Sequence, residues 1–233
     1  MRGGHIPNGR GYGFINAGSA QLDGVLVNHN AGIAVWHQQG TLVVQASVLR
    51  DNSVYGVAVG GRSGVPDVGT VRVHETAVVR NRSAGIRIDG GRVQLQNVTV
   101  SGNVETTSGG GIWMTAGELT LFDSTMVENT GRCLEASRGT DGLPTVITAR
   151  RSVVALHSRR ECFLSGPVTA SYGTSRPMCI EADRATLGIG TLTTEAGTLV
   201  HPLLPGSPLI DSFNLVCRGR PAKVRAPQQY RLR

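Results

Sequence analysis

Aromatic side chains make up only 4% of the 233 residues, although 39% are hydrophobic and 32 are glycine. A conventional globular core of this length leans on aromatic bulk, so their scarcity argues against one. Many glycines set among Val, Leu, Ile and Thr point instead to many short strands joined by tight turns. No apolar run reaches the roughly 18 residues of a membrane-spanning helix, and the opening MRGGHIPNGRG has no signal-peptide pattern. Lysine is almost missing: of 23 basic side chains a single one, Lys223, is lysine. There is no CxxC and the six histidines are scattered, so no metal or other cofactor is expected. A phosphate-binding GxxxxGK[ST] loop and a GxSxG nucleophile elbow are also absent.

The formal charge of +7 invites a polyanionic partner. The arginines are nevertheless spread along the chain, apart from short pairs such as Arg150-Arg151 and Arg159-Arg160, and they form no nucleic-acid motif. A basic rod binding nucleic acid is therefore the weakest of three readings, with too few aromatics for stacked bases.

What the chain does have is repetition. Gly18 is followed twelve residues on by Asn30, and the same interval joins Gly40 to Asn52, Gly69 to Asn81, Gly91 to Asn103 and Gly117 to Asn129. A sixth copy keeps the frame with altered ends, from Thr145 to His157. Within the blocks Leu42 and Val44 match Val71 and Val73, Val93 and Leu95, and Leu119 and Leu121. That period-two alternation reads as a strand with one buried face. A shorter strand closes each block, and a third of the form Gly-apolar-x-apolar precedes the next: GIAV from Gly32, GVAV from Gly56, GIRI from Gly85 and GIWM from Gly111.

Three short strands per repeat, with length variation confined to loops, suit a coil whose stacked turns share one core. The expectation is an all-β chain, a right-handed parallel β-helix of about six or seven turns, roughly 30 Å long at the parallel strand spacing. Residues 1–160 would form the repeats, and residues 161–233 the terminal turn, an irregular cap and a tail of the same domain. A leucine-rich repeat would need a helix and a leucine grid, and a β-sandwich would not need the constant block. The asparagines are read as structural. Asn30, Asn52, Asn81, Asn103 and Asn129 would sit in left-handed corners and join their amides in a ladder, ending at His157. Because GYGFINAG already looks like a repeat strand, the chain is expected to be part of a longer protein.

The phrase SGGGIWMTAGELTLFDSTMVENT, and the ending HPLLPGSPLID from His201 to Asp211, resemble bacterial β-helix proteins of the choice-of-anchor Q type. The resemblance covers roughly Gly32 to Pro221. It implies a secreted or surface-exposed, extracytoplasmic protein and carries no catalytic residues to transfer. Four cysteines fit an exported protein with disulfides. Of the possible pairings Cys162–Cys179 is preferred, since it would staple the irregular end; Cys133 aligns with the small-residue column of Gly85 and Gly111. Four reduced thiols remain the alternative.

On such a coil a ligand would lie along an outer strand face. Ala34, Ala58, Arg87, Trp113 and Glu135 are read as one outward column, with Trp36, His37, Arg62, Asp89 and Thr115 just beyond it. Aromatic planes beside charged groups suit a sugar chain, so Trp36, His37, Arg62, Arg87, Asp89, Trp113 and Glu135 are candidate binding residues. The leading reading is a non-catalytic surface scaffold, adhesion or polysaccharide-binding module, with an acidic polysaccharide or cell-surface glycan as partner. The alternative is a lyase or hydrolase on an acidic glycan, with Arg87 and Asp89 as catalytic candidates. The NTD, DD and GHG motifs of β-helix polygalacturonases are missing, however, and in place of the vWiDH of pectate lyases this chain has IRID.

Overall fold

A computed structural model describes residues 1–60, 68–137, 145–150, 152–155, 162–165, 168–172, 178–180, 192–193 and 199–200. Side-chain surroundings are described as far as Ser152. The chain winds into a right-handed parallel β-helix of about six turns. Among the described residues there is no helix long and apolar enough to cross a membrane.

Each turn lays a strand on three faces. The first face collects strands such as Thr41–Gln45 and Thr70–His74. The second collects Val48–Arg50, Ala77–Val79, Thr99–Ser101 and Thr125–Val127. The third begins with Phe14–Asn16, Val35–His37 and Val57–Val59, then takes the opening of the long strand Ile86–Gln96. Pairing between turns is parallel throughout these faces, and it continues through Cys162–Ser165, Val168–Tyr172 and Met178–Ile180. It thus runs on beyond the last repeat visible in the sequence.

Parallel, in-register pairing stacks like on like. On the first face Leu42, Val71, Val93, Leu119 and Ile147 form one inward column. On the second, Val27, Leu49, Val78, Val100 and Met126 form another. All ten are essentially solvent-free. Burying each such side chain is worth about 1.5–3 kcal/mol, which is how a core with few aromatics holds together.

The corners differ from expectation in one respect. The ladder asparagines are not themselves in left-handed backbone; the residue before each of them is. His29, Asp51, Arg80 and Glu128 have φ between 55° and 57°, and Gly102 has 63°. The turn is made one position early, which leaves each Asn free to point inward under the next. Each Asn Nδ2 then donates to the following Asn Oδ1, at 2.9 Å from Asn30 to Asn52, 2.9 Å from Asn52 to Asn81, 3.0 Å from Asn81 to Asn103 and 2.9 Å from Asn103 to Asn129. His157 lies outside the described residues.

A second ladder, not read from the sequence, occupies the corner between the first and second faces. Gly24, Ala46, Glu75, Asn97 and Asp123 are left-handed there, each one residue before a hydroxyl column. Ser47 Oγ accepts from Val25 N at 3.0 Å, Thr76 Oγ1 from Ser47 N at 3.3 Å, and Ser152 Oγ from Ser124 N at 3.2 Å. Each hydroxyl of Ser47, Thr76 and Ser124 donates in turn to the carbonyl two residues before it. Val98 interrupts the column. Its own N–H donates to Ser124 Oγ at 3.2 Å, but it has no hydroxyl to offer Thr76. Val98→Thr should therefore raise stability by about 0.5–1.5 kcal/mol, the net worth of one hydrogen bond. Val100→Thr, in an apolar column, should lower it; equal losses in urea denaturation of both variants would refute the ladder's completion.

Candidate functional site

The third face sets the outward column by register. Ile15 stacks on Trp36, Trp36 on Ala58, Ala58 on Arg87, Arg87 on Trp113 and Trp113 on Glu135. The sequence reading placed Ala34 in this column and Trp36 beyond it, and both shift by two residues. The strand begins five residues after the ladder asparagine (Asn30 to Val35, Asn52 to Val57), so Ala34, not Gly32, is the counterpart of Gly56. Gly32 is a loop glycine that mimicked the motif. The correction moves Trp36 into the column itself.

The same shift removes His37 from the outer surface. It takes the inward position of Val59, Ile88 and Met114 and is fully buried. Its Nε2 lies 3.0 Å from the Val68 carbonyl and its Nδ1 2.9 Å from Asn16 Nδ2. A carbonyl only accepts, so Nε2 carries the proton and Nδ1 accepts from the amide. Burial pushes the His37 pKa down, against hydrogen bonds to the Val68 and Gly40 carbonyls that favour the charged form. Unfolded histidine binds its proton near pH 6.5, so stability contributed by neutral His37 is present above that pH. It is lost as pH falls from there towards the lower folded value. Folding free energy should decline on acidification through this window, and His37→Gln should flatten that part of the profile; an unchanged slope in the variant would assign the decline to other groups.

Outward, the strip is built around a cation and a ring. The Arg87 guanidinium carbon lies 3.4 Å from the centroid of Trp113, within stacking range for a cation–π pair. Its Nη2 is ion-paired with Asp89 Oδ1, which also accepts from Thr115 Oγ1 at 2.7 Å. The strand bends here: pairing with the next turn shifts register between Ile88 and Asp89 and again before Arg92. Asp89 lies beside Arg87 because residues two apart on a strand share a face. One turn beyond Trp113, Glu135 Oε1 accepts from Arg132 Nη1 at 2.8 Å, and Glu135 is only 8% exposed. Two atoms of the strip are out of reach of solvent and have no hydrogen-bond partner, Arg87 Nη1 and Glu135 Oε2.

At the other end Trp36 packs against Tyr12, with ring centroids 4.9 Å apart, and its Nε1 donates to the Gly60 carbonyl at 2.7 Å. Tyr12 and Ile15 are about half exposed. Tyr55 flanks the middle of the strip. Burial pushes its phenol up, while the Arg87 charge and a hydrogen bond with Ser83 act the other way. Ser83 Oγ donates to Glu105 Oε2 at 2.8 Å.

The structure thus gathers Trp36, Arg87, Asp89, Trp113 and Glu135 on one outer face, and buries His37. Arg62 and the preferred disulfide of Cys162 and Cys179 lie outside the described side chains. Cys133 is fully buried in the small-residue column. Tyr12, Tyr55 and Arg132 were missed, although a signal existed. Tyr55 and Arg132 each stand three residues after a ladder asparagine, and Tyr12 holds the matching place before Phe14.

No family model matches the chain, and no curated protein matches it. Among solved structures, the crystal structure of pectate lyase Pel9A is similar, with a TM-score of 0.58 and 12% sequence identity; the match covers 97% of this chain and 70% of that one. At that identity the likeness speaks for the β-helix fold, and function has to be argued from the site. The likeness to choice-of-anchor Q proteins rests on the sequence phrases alone.

Proposed function

We propose that the protein is a non-catalytic, exported β-helix module that binds a polysaccharide chain along the outer face running from Tyr12 and Trp36 to Glu135. The observation that carries this is the outward column itself. Two tryptophans, an arginine and a glutamate stand in stacked rows with Ala58, over roughly 19 Å for four inter-turn steps of about 4.8 Å. Aromatic edges with fixed polar groups beside them, repeated along a line, match a linear chain of hydroxylated rings better than a compact ligand. The pectate lyase likeness makes a polyuronate and its carboxyl-reduced, neutral form the first pair of chains to test. Co-elution of intact polymer with the protein on size-exclusion chromatography is the expected result. Trp36→Ala and Trp113→Ala should each weaken binding by about tenfold or more, as for buried aromatic anchors. Unchanged binding in both variants would move the site off this face.

A second reading, chain cleavage by β-elimination, draws on the Arg87–Asp89 pair. It needs a base that takes the proton α to a uronate carboxylate while the C–O bond at the β-carbon breaks. An arginine stays protonated in proteins, and Arg87 is further held by Asp89 and Trp113. It is better suited to orienting a ligand than to removing a proton. Unsaturated chain ends that disappear in Arg87→Ala would reverse this order.

A further inference from the structure

Resting on the polysaccharide reading of this face, we infer that the strip is built for a neutral, hydroxyl-rich chain and discriminates against a polyuronate. Most of the formal positive charge falls on residues outside those described. Residues 201–233 hold six of the 23 basic residues (Arg218, Arg220, Lys223, Arg225, Arg231, Arg233) and one of the 16 acidic ones (Asp211), so they carry +5 of the formal +7. Among the described residues of the strip, each guanidinium is already matched: Arg87 to Asp89, and Arg132 to Glu135.

A ligand carboxylate binds where a cation has no counter-charge, and it has only lone pairs to offer. Here it would have to displace Asp89 or Glu135, or sit beside them at the cost of like-charge repulsion. The hydrogen-bonding capacity left unfilled is of both kinds. Arg87 Nη1 is a donor on one side of Trp113, and Glu135 Oε2 is an acceptor on the other. Glu135 is itself more than nine-tenths buried, so its orphan oxygen is costly until a donor reaches it. A hydroxyl both donates and accepts, and neighbouring hydroxyls on one sugar ring serve both atoms with a small side-chain adjustment. A carboxylate serves the donor alone and confronts the acceptor.

The test uses one polymer in two charge states: polygalacturonate and the same chain after reduction of its carboxyl groups, each in affinity electrophoresis with the full-length protein. The part of binding that belongs to the strip is the part lost in Trp113→Ala, with the isosteric Glu135→Gln as a variant that preserves the fold. For the neutral chain, Trp113→Ala should weaken binding by about tenfold or more, the worth of an aromatic anchor. It should leave polygalacturonate binding unchanged, wherever on the chain that occurs. Glu135→Gln exchanges the free acceptor for a donor, so it should weaken the neutral chain by about threefold or more and gain affinity for the acidic one, because it removes the repelling charge. The inference is overturned if Trp113→Ala costs more affinity for polygalacturonate than for the neutral chain, with a strong dependence on salt. If neither chain loses affinity in either variant, the polysaccharide reading of this face falls with it.

Discussion

Replacing Asn103 by alanine should cost about 3–5 kcal/mol of folding free energy, seen as a shift of the urea midpoint at unchanged cooperativity. The magnitude follows from how many groups one side chain serves. Asn103 Oδ1 accepts from Asn81 N at 3.0 Å and from Asn81 Nδ2 at 3.0 Å. Its Nδ2 donates to Asn129 Oδ1 at 2.9 Å and to the Val78 carbonyl at 3.0 Å. Alanine removes all four bonds and leaves the Asn81 donors and the Val78 carbonyl without these partners. Asn81 and Asn103 are both completely buried, and each orphaned group costs about 1–3 kcal/mol. The cavity left by the amide adds to this, and partial relaxation of the corner subtracts from it. Asn30→Ala should cost less. Asn30 also makes four side-chain bonds, but those from Gly9 N at 2.8 Å and to the Ile6 carbonyl at 3.2 Å are part-buried, where water can replace them. A loss under about 1 kcal/mol for Asn103→Ala would mean that water or the backbone replaces the ladder, and that the asparagines are not what closes the corner.

The fold was legible because parallel stacking makes sequence periodicity and structure the same thing. A residue inward in one turn is inward in the next, so Leu42, Val71, Val93 and Leu119 reveal one column without any knowledge of the loops between them. The asparagine interval was legible for the same reason, since each copy must bond to the next. Its backbone conformation was not. Left-handed φ falls on His29, Asp51, Arg80 and Glu128, a mixture in which Asp and His favour that region and Arg and Glu do not, because the geometry is imposed by the turn. The hydroxyl ladder was hidden by its chemical variety, Ser, Thr and two Val, and by the commonness of those residues.

The outer face was half legible. Arg87, Trp113 and Glu135 follow from the strand pattern, but the first copy slipped by two because a loop glycine stood where the motif expected one. That slip put buried His37 among the ligand-binding candidates. Spacing measured from the asparagine is the better ruler, since the ladder repeats a side-chain bond from turn to turn, whereas Gly32 is held by its backbone alone, donating to Gly11 O at 2.8 Å. The pairing of Arg87 with Asp89 was legible, because residues two apart on a strand share a face. The register shifts between Ile88 and Arg92, beside which Thr115 reaches Asp89, leave no mark in the alternation.

Gly69→Ala should be the more damaging of two matched changes in the other recurrent column, with an expected loss of about 3–5 kcal/mol. Gly40, Gly69, Gly91 and Gly117 stack directly on one another where the third face turns into the first, all with φ between 74° and 97°. An L side chain in that region costs about 1–2 kcal/mol from local sterics alone. Packing adds a further term: a Cβ on Gly69 would overlap the carbonyl oxygen of Gly40, which is backbone and cannot rotate away. That carbonyl also accepts the Thr70 N–H at 2.9 Å, so moving it breaks a bond between turns. Overpacking of this kind typically adds about 1–3 kcal/mol. In Gly91→Ala the nearest atom, the Gly69 carbonyl oxygen, is 2.8 Å from the new Cβ. The strain is therefore smaller, and the loss should fall nearer about 2–3 kcal/mol. The ordering is the informative part. If Gly91→Ala proved the worse, the left-handed backbone alone would govern the column and the close stacking of turns would be incidental. If Gly69→Ala is worse, the glycines are there because two turns of backbone must touch, and the interval from glycine to asparagine is the distance between the two corners that hold the first and second faces in register.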